Sequence, residues 1–139
     1  MMAGMFELSV LASDKTFYVG ECSSLVIPTS SGLAGILAHH RNMIAAIVPG
    51  TMKYTDSDGV EHIAAVSNGM IKVEDGNVLV LADTAERPEE IDINRAKRDA
   101  EQAKEAILQK KSIRDYRSAQ ARMARALSRI AVGDLSRMN

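Results

Sequence analysis

The chain holds a single cysteine, Cys22, three prolines, no tryptophan, and only three tyrosines and two phenylalanines. A lone thiol cannot close an internal disulfide, and its place in an apolar stretch reads as a buried free thiol in a reducing compartment. The start, Met1 to Met5, lacks a basic region followed by an apolar core, and no apolar run approaches the roughly 18 residues of a membrane span. The expectation is a soluble chain that can still dock on a membrane complex. A formal net charge of −1 gives no global pull toward nucleic acid or anionic lipid, so a charged function has to come from local patterning. No Ser or Cys sits in a nucleophile elbow, and there is no phosphate-cradling glycine loop with a Lys, which disfavours an enzyme and leaves no catalytic residue to name. His39 and His40 are adjacent, so their rings point to opposite sides of an extended segment, and His62 is remote in sequence. No metal site is expected.

What is present changes character near residue 87. Up to Glu86, short apolar runs alternate with Gly and turn residues. After Arg87-Pro88 there is no further Pro, one Gly (Gly133), and many Ala, Arg, Lys, Glu and Gln, which are strong helix formers. At 139 residues the chain can bury roughly two thirds of its unfolded surface, enough for one core, or a smaller core with an appendage. The predicted architecture is an N-terminal antiparallel β sandwich or flattened barrel of about ten short strands over residues 1–86, then a C-terminal antiparallel two-helix hairpin over residues 87–139.

Phe6-Glu7-Leu8-Ser9-Val10 alternates apolar with polar, the pattern of a strand with one buried face. Thr16-Phe17-Tyr18-Val19 reads as the next strand, ended by Gly20, and Leu25-Val26-Ile27 as another, ended by Pro28. The run Ile44-Ala45-Ala46-Ile47-Val48, closed by Pro49-Gly50, predicts a strand covered on both faces. Two hairpins are expected around Asp56-Ser57-Asp58-Gly59 and Glu74-Asp75-Gly76-Asn77, since Asp-Gly tolerates the positive φ of tight turns. Gly32 and Gly35 are expected to serve a turn.

In the second part, Ala96, Ala100, Ala103 and Ile107 fall on one helical face. Ser112 with Asp115 three residues on is a capping-box variant that starts a second helix. Ile113, Tyr116, Met123, Leu127 and Ile130 form its expected apolar face, with Arg114, Arg117, Arg122, Arg125 and Arg129 opposite. That arginine face reads as a solvated surface, a nucleic-acid stripe or a contact for an acidic partner. Neutral overall charge and the scarcity of aromatics count against nucleic acid. The apolar stripes are thin, which predicts a hairpin only marginally stable by itself and able to detach.

Four stretches together resemble the epsilon subunit of the bacterial F-type ATP synthase. They are Gly32-Leu33-Ala34-Gly35-Ile36-Leu37-Ala38-His39-His40, Val48-Pro49-Gly50, the run from Gly76-Asn77 to Ala85-Glu86, and Ile91-Asp92-Ile93-Asn94-Arg95-Ala96. The last is similar to the family's ATP-binding pattern of Ile or Leu, Asp, two free positions, Arg and Ala. The resemblance implies a non-catalytic rotor subunit on the cytoplasmic face of the cell membrane, peripheral and held there only through the complex. The role so implied is to couple proton flow to ATP synthesis. It implies a sandwich bound to the gamma subunit and the membrane ring, and a hairpin that extends toward the alpha and beta catalytic subunits and inhibits hydrolysis. Gly32, Gly35 and His40, and on the hairpin Arg122, Arg125 and Arg129, are the implied partner contacts. ATP is implied as a regulatory ligand of Glu86, Ile91, Asp92, Arg95 and Ala96, with no obligatory cofactor. Gln102, Ala106 and Ser118 stand where strong ATP binders of that family tend to carry further arginines.

The residues at that motif leave two readings open. Asp92 can accept from an adenine or ribose donor, and Arg95 offers a charged fork to phosphate. Alternatively Asp92 caps a helix and Arg95 pairs with Glu89, Asp99 or another carboxylate. The reading from a different class is a free-standing nucleotide- or nucleic-acid-binding regulator that uses the arginine-rich helix.

Overall fold

The alternation at the start of the chain is realised in strand β1 (Phe6–Ala12), where Phe6, Leu8 and Val10 are buried and Glu7 is exposed. The computed structural model describes residues 4–109 and 113–138. Strand β2 (Thr16–Thr29) runs straight through Gly20, which pairs with Leu8, so the two strands expected there are one. Gly20 could not end the strand because the neighbouring ladder engages its backbone. The register shifts between Cys22 and Ser24, where β2 leaves β1 and takes up strand β5 (Gly50–Asp56). Such an irregularity bends a strand, and here one long strand serves two parts of the sheet. Nor does Pro28 end the strand, which runs on to Thr29 with Pro28 opposite Leu33; it lies beyond the last β5 pairing, Val26 with Lys53, where a missing N–H is tolerated.

Gly32 closes the turn into strand β3 (Gly32–Leu37) at φ 111°, whereas Gly35 lies inside that strand opposite Val26. Strand β4 (Met43–Ile47) departs from expectation. Ile47 is buried, but Ile44 is 66% exposed, because β4 pairs mainly with strand β7 (Gly69–Glu74) and only one of its faces meets the core. β5 and strand β6 (Glu61–Val66) form the first expected hairpin, its turn held by Asp56 Oδ1 accepting from the N–H groups of Asp58 (2.9 Å) and Val60 (3.0 Å). β7 and strand β8 (Asn77–Ala82) form the second, with Asp75 at φ 52° and Gly76 at φ 82°, the two positive angles of a type I′ turn. A short strand β9 (Ala85–Glu86) pairs with β6.

Among the described residues every pairing is antiparallel except β1 with β8, which run parallel. That pairing joins the first strand to one more than sixty residues later. With β1 also paired to β2, it closes β1-β8-β7-β4-β2 into a flattened ring. Leu8, Leu25, Ile27, Ile36, Ile47, Met52, Ile71 and Val80 fill the interior. Each such side chain contributes about 1.5–3 kcal/mol through burial. Cys22 is buried among them, and burial pushes its thiol above the ordinary range.

A 3-10 turn over Pro88–Glu90 leads to helix α1 (Ile93–Gln109) and helix α2 (Ile113–Met138). The expected capping box at Ser112 lies outside the described residues, as do the side chains of Ile113, Arg114 and Asp115. The seam between the helices is made of small residues. Ala96 and Ala103 on α1, and Ala119, Ala126, Val132 and Gly133 on α2, are buried, while Leu127 of the expected apolar face is 49% exposed. Alanine allows the axes to approach closely, and the spacing of seven residues keeps that seam aligned.

Candidate functional site

Where α1 leaves the sandwich, Asp92 is its N-cap. Its Oδ1 accepts from the Arg95 N–H at 3.0 Å, while its carbonyl accepts the first helical bond from the Ala96 N–H at 3.0 Å. Arg95 forms no ion pair among the described residues. Beside this cap an open cleft of about 240 Å3 is lined by Glu86, Glu90, Asp92, Arg95, Ala96, Asp99 and Arg129. It adjoins a second space of about 200 Å3 lined by Asp99, Gln102, Arg122, Arg125 and Arg129. Carboxylates dominate one end, and three guanidinium groups meet at the other.

Four of the five residues implied as nucleotide contacts, Glu86, Asp92, Arg95 and Ala96, therefore line one cavity. Ile91 does not; it is half-buried, with its N–H donating to the Pro88 carbonyl at 3.2 Å. Glu90, Asp99 and Arg129 complete the cleft, and sequence reasoning placed Arg129 on a face opposite the buried one. In fact Arg125 and Arg129 are half-buried, and Arg129 Nε donates to Glu86 Oε1 at 2.6 Å. The missed signal was the alanine spacing. With Ala119 and Ala126 taken as the seam, Arg122 and Arg129 each follow a buried alanine by three positions and so flank it. Next to Arg129, the Ser128 hydroxyl donates to the Gly50 carbonyl at 3.0 Å, so two adjacent residues tie α2 to the sandwich.

The segment between sandwich and α1 carries its own network. The Arg87 guanidinium stands 4.2 Å over the Phe17 ring, donates to the Phe17 carbonyl at 2.8 Å and reaches Glu90 Oε1 at 3.2 Å. Lys15 Nζ donates to Glu90 Oε2 at 2.6 Å. The Lys15 ammonium above all, with help from the Arg87 guanidinium, holds the Glu90 carboxyl below its usual range against the opposing effect of burial.

The residues implied as partner contacts on the sandwich cluster at β3. Leu33 (74% exposed) and Leu37 (63% exposed) point outward, and Gly35 is exposed, on this strand, which among the described residues pairs only with β2. His40 is half-buried just beyond it, its Nδ1 2.7 Å from the Arg41 carbonyl, after His39 at φ 64°. A separate exposed apolar band crosses Ile44 and Ala46 of β4, Met70 of β7 and Leu81 of β8. In it Ala46 lies opposite Met70, and Met70 opposite Leu81. Contiguous apolar surface of this kind marks protein contacts. His62 is taken up locally, 2.7 Å from Asp56 Oδ2 and stacked on Tyr54.

Residues 5–88 match the family description "ATP synthase, Delta/Epsilon chain, beta-sandwich domain", and residues 89–133 match "ATP synthase, Delta/Epsilon chain, long alpha-helix domain". The ATP synthase epsilon chain of Ruminococcus albus is 38% identical over 131 residues, 94% of this chain and 97% of that one. The epsilon chain of Desulfitobacterium hafniense is 38% identical over 129 residues, 93% of this chain and 96% of its own. Among solved structures, a chain of the Euglena gracilis mitochondrial ATP synthase superposes with a TM-score of 0.77 at 19% identity, covering 95% of this chain and 80% of that chain. A chain from the central stalk and ring of the Tetrahymena thermophila enzyme does so with a TM-score of 0.66 at 11% identity, covering 91% of this chain and 95% of that one. These two likenesses concern the fold. From the matched domains and the epsilon-chain relatives, the chain belongs to the epsilon-chain family of the F-type ATP synthase, as a non-catalytic subunit.

Proposed function

We propose that the chain couples proton flow to ATP synthesis and restrains ATP hydrolysis through a C-terminal hairpin that leaves the sandwich, with ATP in the cleft as a regulatory ligand and no obligatory cofactor. In this reading the sandwich binds the gamma subunit and the membrane ring, using the apolar band of β4, β7 and β8 and the exposed tip of β3. The extended hairpin reaches the alpha and beta catalytic subunits. The chain sits at the cytoplasmic face of the cell membrane, peripherally and through the complex. Among the described residues no helix is long and apolar enough to cross a membrane.

The observation that carries the reading is how lightly the arm is tied. Ser128 to Gly50 and Arg129 to Glu86 are the two side-chain bonds from α2 to the sandwich among the described residues. A neutral hydrogen bond is worth about 1 kcal/mol and one to a charged group about 1.5–3 kcal/mol, so these two bonds contribute a few kcal/mol to docking, beside the burial of small side chains such as Ala126 and Val132. Gaps of that size leave the minor state roughly 0.1–10% populated, within reach of a ligand or partner. The turn of Arg125 and Arg129 toward the cleft removes the continuous outward stripe on which the nucleic-acid reading rested.

Because Arg129 also ties the folded arm, the contact with an acidic partner surface is tested with Arg122→Ala and Arg125→Ala together. ATP hydrolysis by the assembled complex should rise, added salt should mimic part of the rise by screening, and synthesis should change less. Unchanged hydrolysis at low salt contradicts the inhibitory role of these residues. For ATP, the acidic end of the cleft suits the amino and hydroxyl donors of base and sugar, and the arginine end suits phosphate. Bound ATP at 100 times its dissociation constant would stabilise the folded form by about 2.7 kcal/mol. Asp92→Ala should cost roughly 1 kcal/mol of apo stability as a lost cap, and Arg95→Ala much less, while both lose the ATP-dependent thermal shift. No shift in the wild-type chain at millimolar ATP would leave the motif with its capping role alone.

A further inference from the structure

We infer that the hairpin pivots at Ile91–Asp92, with residues 85–90 staying on the sandwich whether the arm is folded or extended. The inference rests on the reading of the hairpin as a moving arm and adds the place where it turns. Up to Glu90 the chain is tied to the sandwich through Thr84, Ala85, Glu86, Arg87 and Glu90. Ser67 and Thr84 exchange two bonds, the Ser67 N–H donating to the Thr84 carbonyl at 3.1 Å and the Thr84 N–H to Ser67 Oγ at 2.8 Å. Ala85 and Glu86 pair with β6. Arg87 lies on Phe17 and donates to its carbonyl, and Lys15 holds Glu90. Pro88 fixes its own φ, and the turn closes through the Glu90 N–H to the Arg87 carbonyl at 2.9 Å.

After Glu90 the ties stop. Among the described residues neither Ile91 nor Asp92 forms a hydrogen bond or ion pair to the sandwich. The Ile91 N–H looks back to Pro88, and the Asp92 carboxylate and carbonyl look forward into α1. Ile91 itself is extended, at φ −86° and ψ 124°, between a 3-10 turn and an α-helix. Rotation about its Cα–C bond swings α1 while the neighbouring bonds, Ile91 to Pro88 on one side and the Asp92 cap to Arg95 and Ala96 on the other, are kept. Hinges of this kind are a few residues at element ends that absorb the dihedral change. The folded arm is then fastened elsewhere, by Ser128 and Arg129, and the clamp at Lys15, Phe17, Arg87 and Glu90 is the fixed base against which it turns.

Two cross-links separate base from latch in the assembled complex. One joins Lys15→Cys to Glu90→Cys, and the other joins Glu86→Cys to Arg129→Cys, each pair replacing side chains that meet at 2.6 Å. Both are closed with a short reducible bis-maleimide, and ATP hydrolysis is read before and after cleavage of the same sample. The 86–129 bridge should raise hydrolysis severalfold over its cleaved form, because the arm cannot extend. The 15–90 bridge should leave it within about twofold. If the 15–90 bridge raises hydrolysis as much as the other, the pivot lies before Glu90 and the inference is overturned while the moving arm stands. If neither bridge changes hydrolysis, the arm does not inhibit by leaving the sandwich, and the reading on which the pivot rests fails with it.

Discussion

The sandwich and the hairpin are built from different side chains, and their roles divide along that line. The sandwich buries Leu8, Leu25, Ile27, Ile36, Met52 and Ile71 completely, whereas the helical seam buries Ala96, Ala103, Ala119 and Ala126. Burial stabilises by about 0.8 kcal/mol per methylene-sized group, so each seam position contributes a fraction of a core leucine. A large-residue core gives a body that keeps its shape under load. A small-residue seam gives helices that fit closely yet separate at little cost.

The sharpest way to break the contrast is inside the sandwich. Leu25→Ala should destabilise the whole chain by about 2–5 kcal/mol in denaturant unfolding, and the hairpin should lose its order in the same transition, because its docking surface goes. Gly69→Ala should act as strongly for another reason. A Cβ there would overlap the Leu81 carbonyl oxygen and crowd the Ala82 Cα, which forces β7 and β8 apart. A variant that unfolds like wild type would show that the backbones are not held at that spacing.

Truncation sharpens the division from the other side. A chain ending after Glu90 should keep a folded sandwich with the same near-ultraviolet signature. One ending after Glu86 should fold too but lose stability, since Phe17 and Lys15 lose Arg87 and Glu90. Aggregation of both fragments would mean that the helices are part of the sandwich core.

Much of this contrast was legible before any coordinates. The alternation of Phe6 to Val10, the Asp-Gly turns at 58–59 and 75–76, and the change of alphabet at Arg87-Pro88 are local signals, written in adjacent residues. The misreadings were of non-local facts. Gly20 continues a strand because Leu8 pairs with it, β1 and β8 run parallel where the ring closes, and Ile44 is exposed because none of the described residues covers that face of β4. At the cleft, the Asp92 and Arg95 spacing was readable, while the inward turn of Arg129 depends on which side of α2 is buried. Periodicity of large apolar residues pointed to Leu127, and the seam turned out to be alanine.

Smaller effects should separate the latch from the clamp. Ser128→Ala leaves the Gly50 carbonyl without its donor, and Glu86→Gln weakens the tie to Arg129. Each should cost on the order of 1–2 kcal/mol of docking, read as faster proteolysis of α2 with an unchanged midpoint for the sandwich. The smallest effect is the pH response of Glu90. Its folded-state pKa is lowered by Lys15 and Arg87, so its contribution is present above the ordinary carboxylate range and is lost as pH falls through the lowered value. Glu90→Gln should lower stability slightly near neutrality, where that contribution is present, and flatten the acid limb, so that wild type and variant converge as pH falls below the lowered value. A steeper acid limb in the variant would give the clamp the wrong sign.

Amide hydrogen exchange on the full chain, with and without ATP, tests the central claim most directly. Amides of α2 should open at a free energy several kcal/mol below those of β1, β2 and β8, which exchange near the global limit, and ATP should slow α2 and α1 while leaving the sandwich unaltered. Helices and sandwich exchanging together at one free energy, with ATP changing neither, would make the molecule a single cooperative unit and contradict the account of a fixed body with a releasable arm.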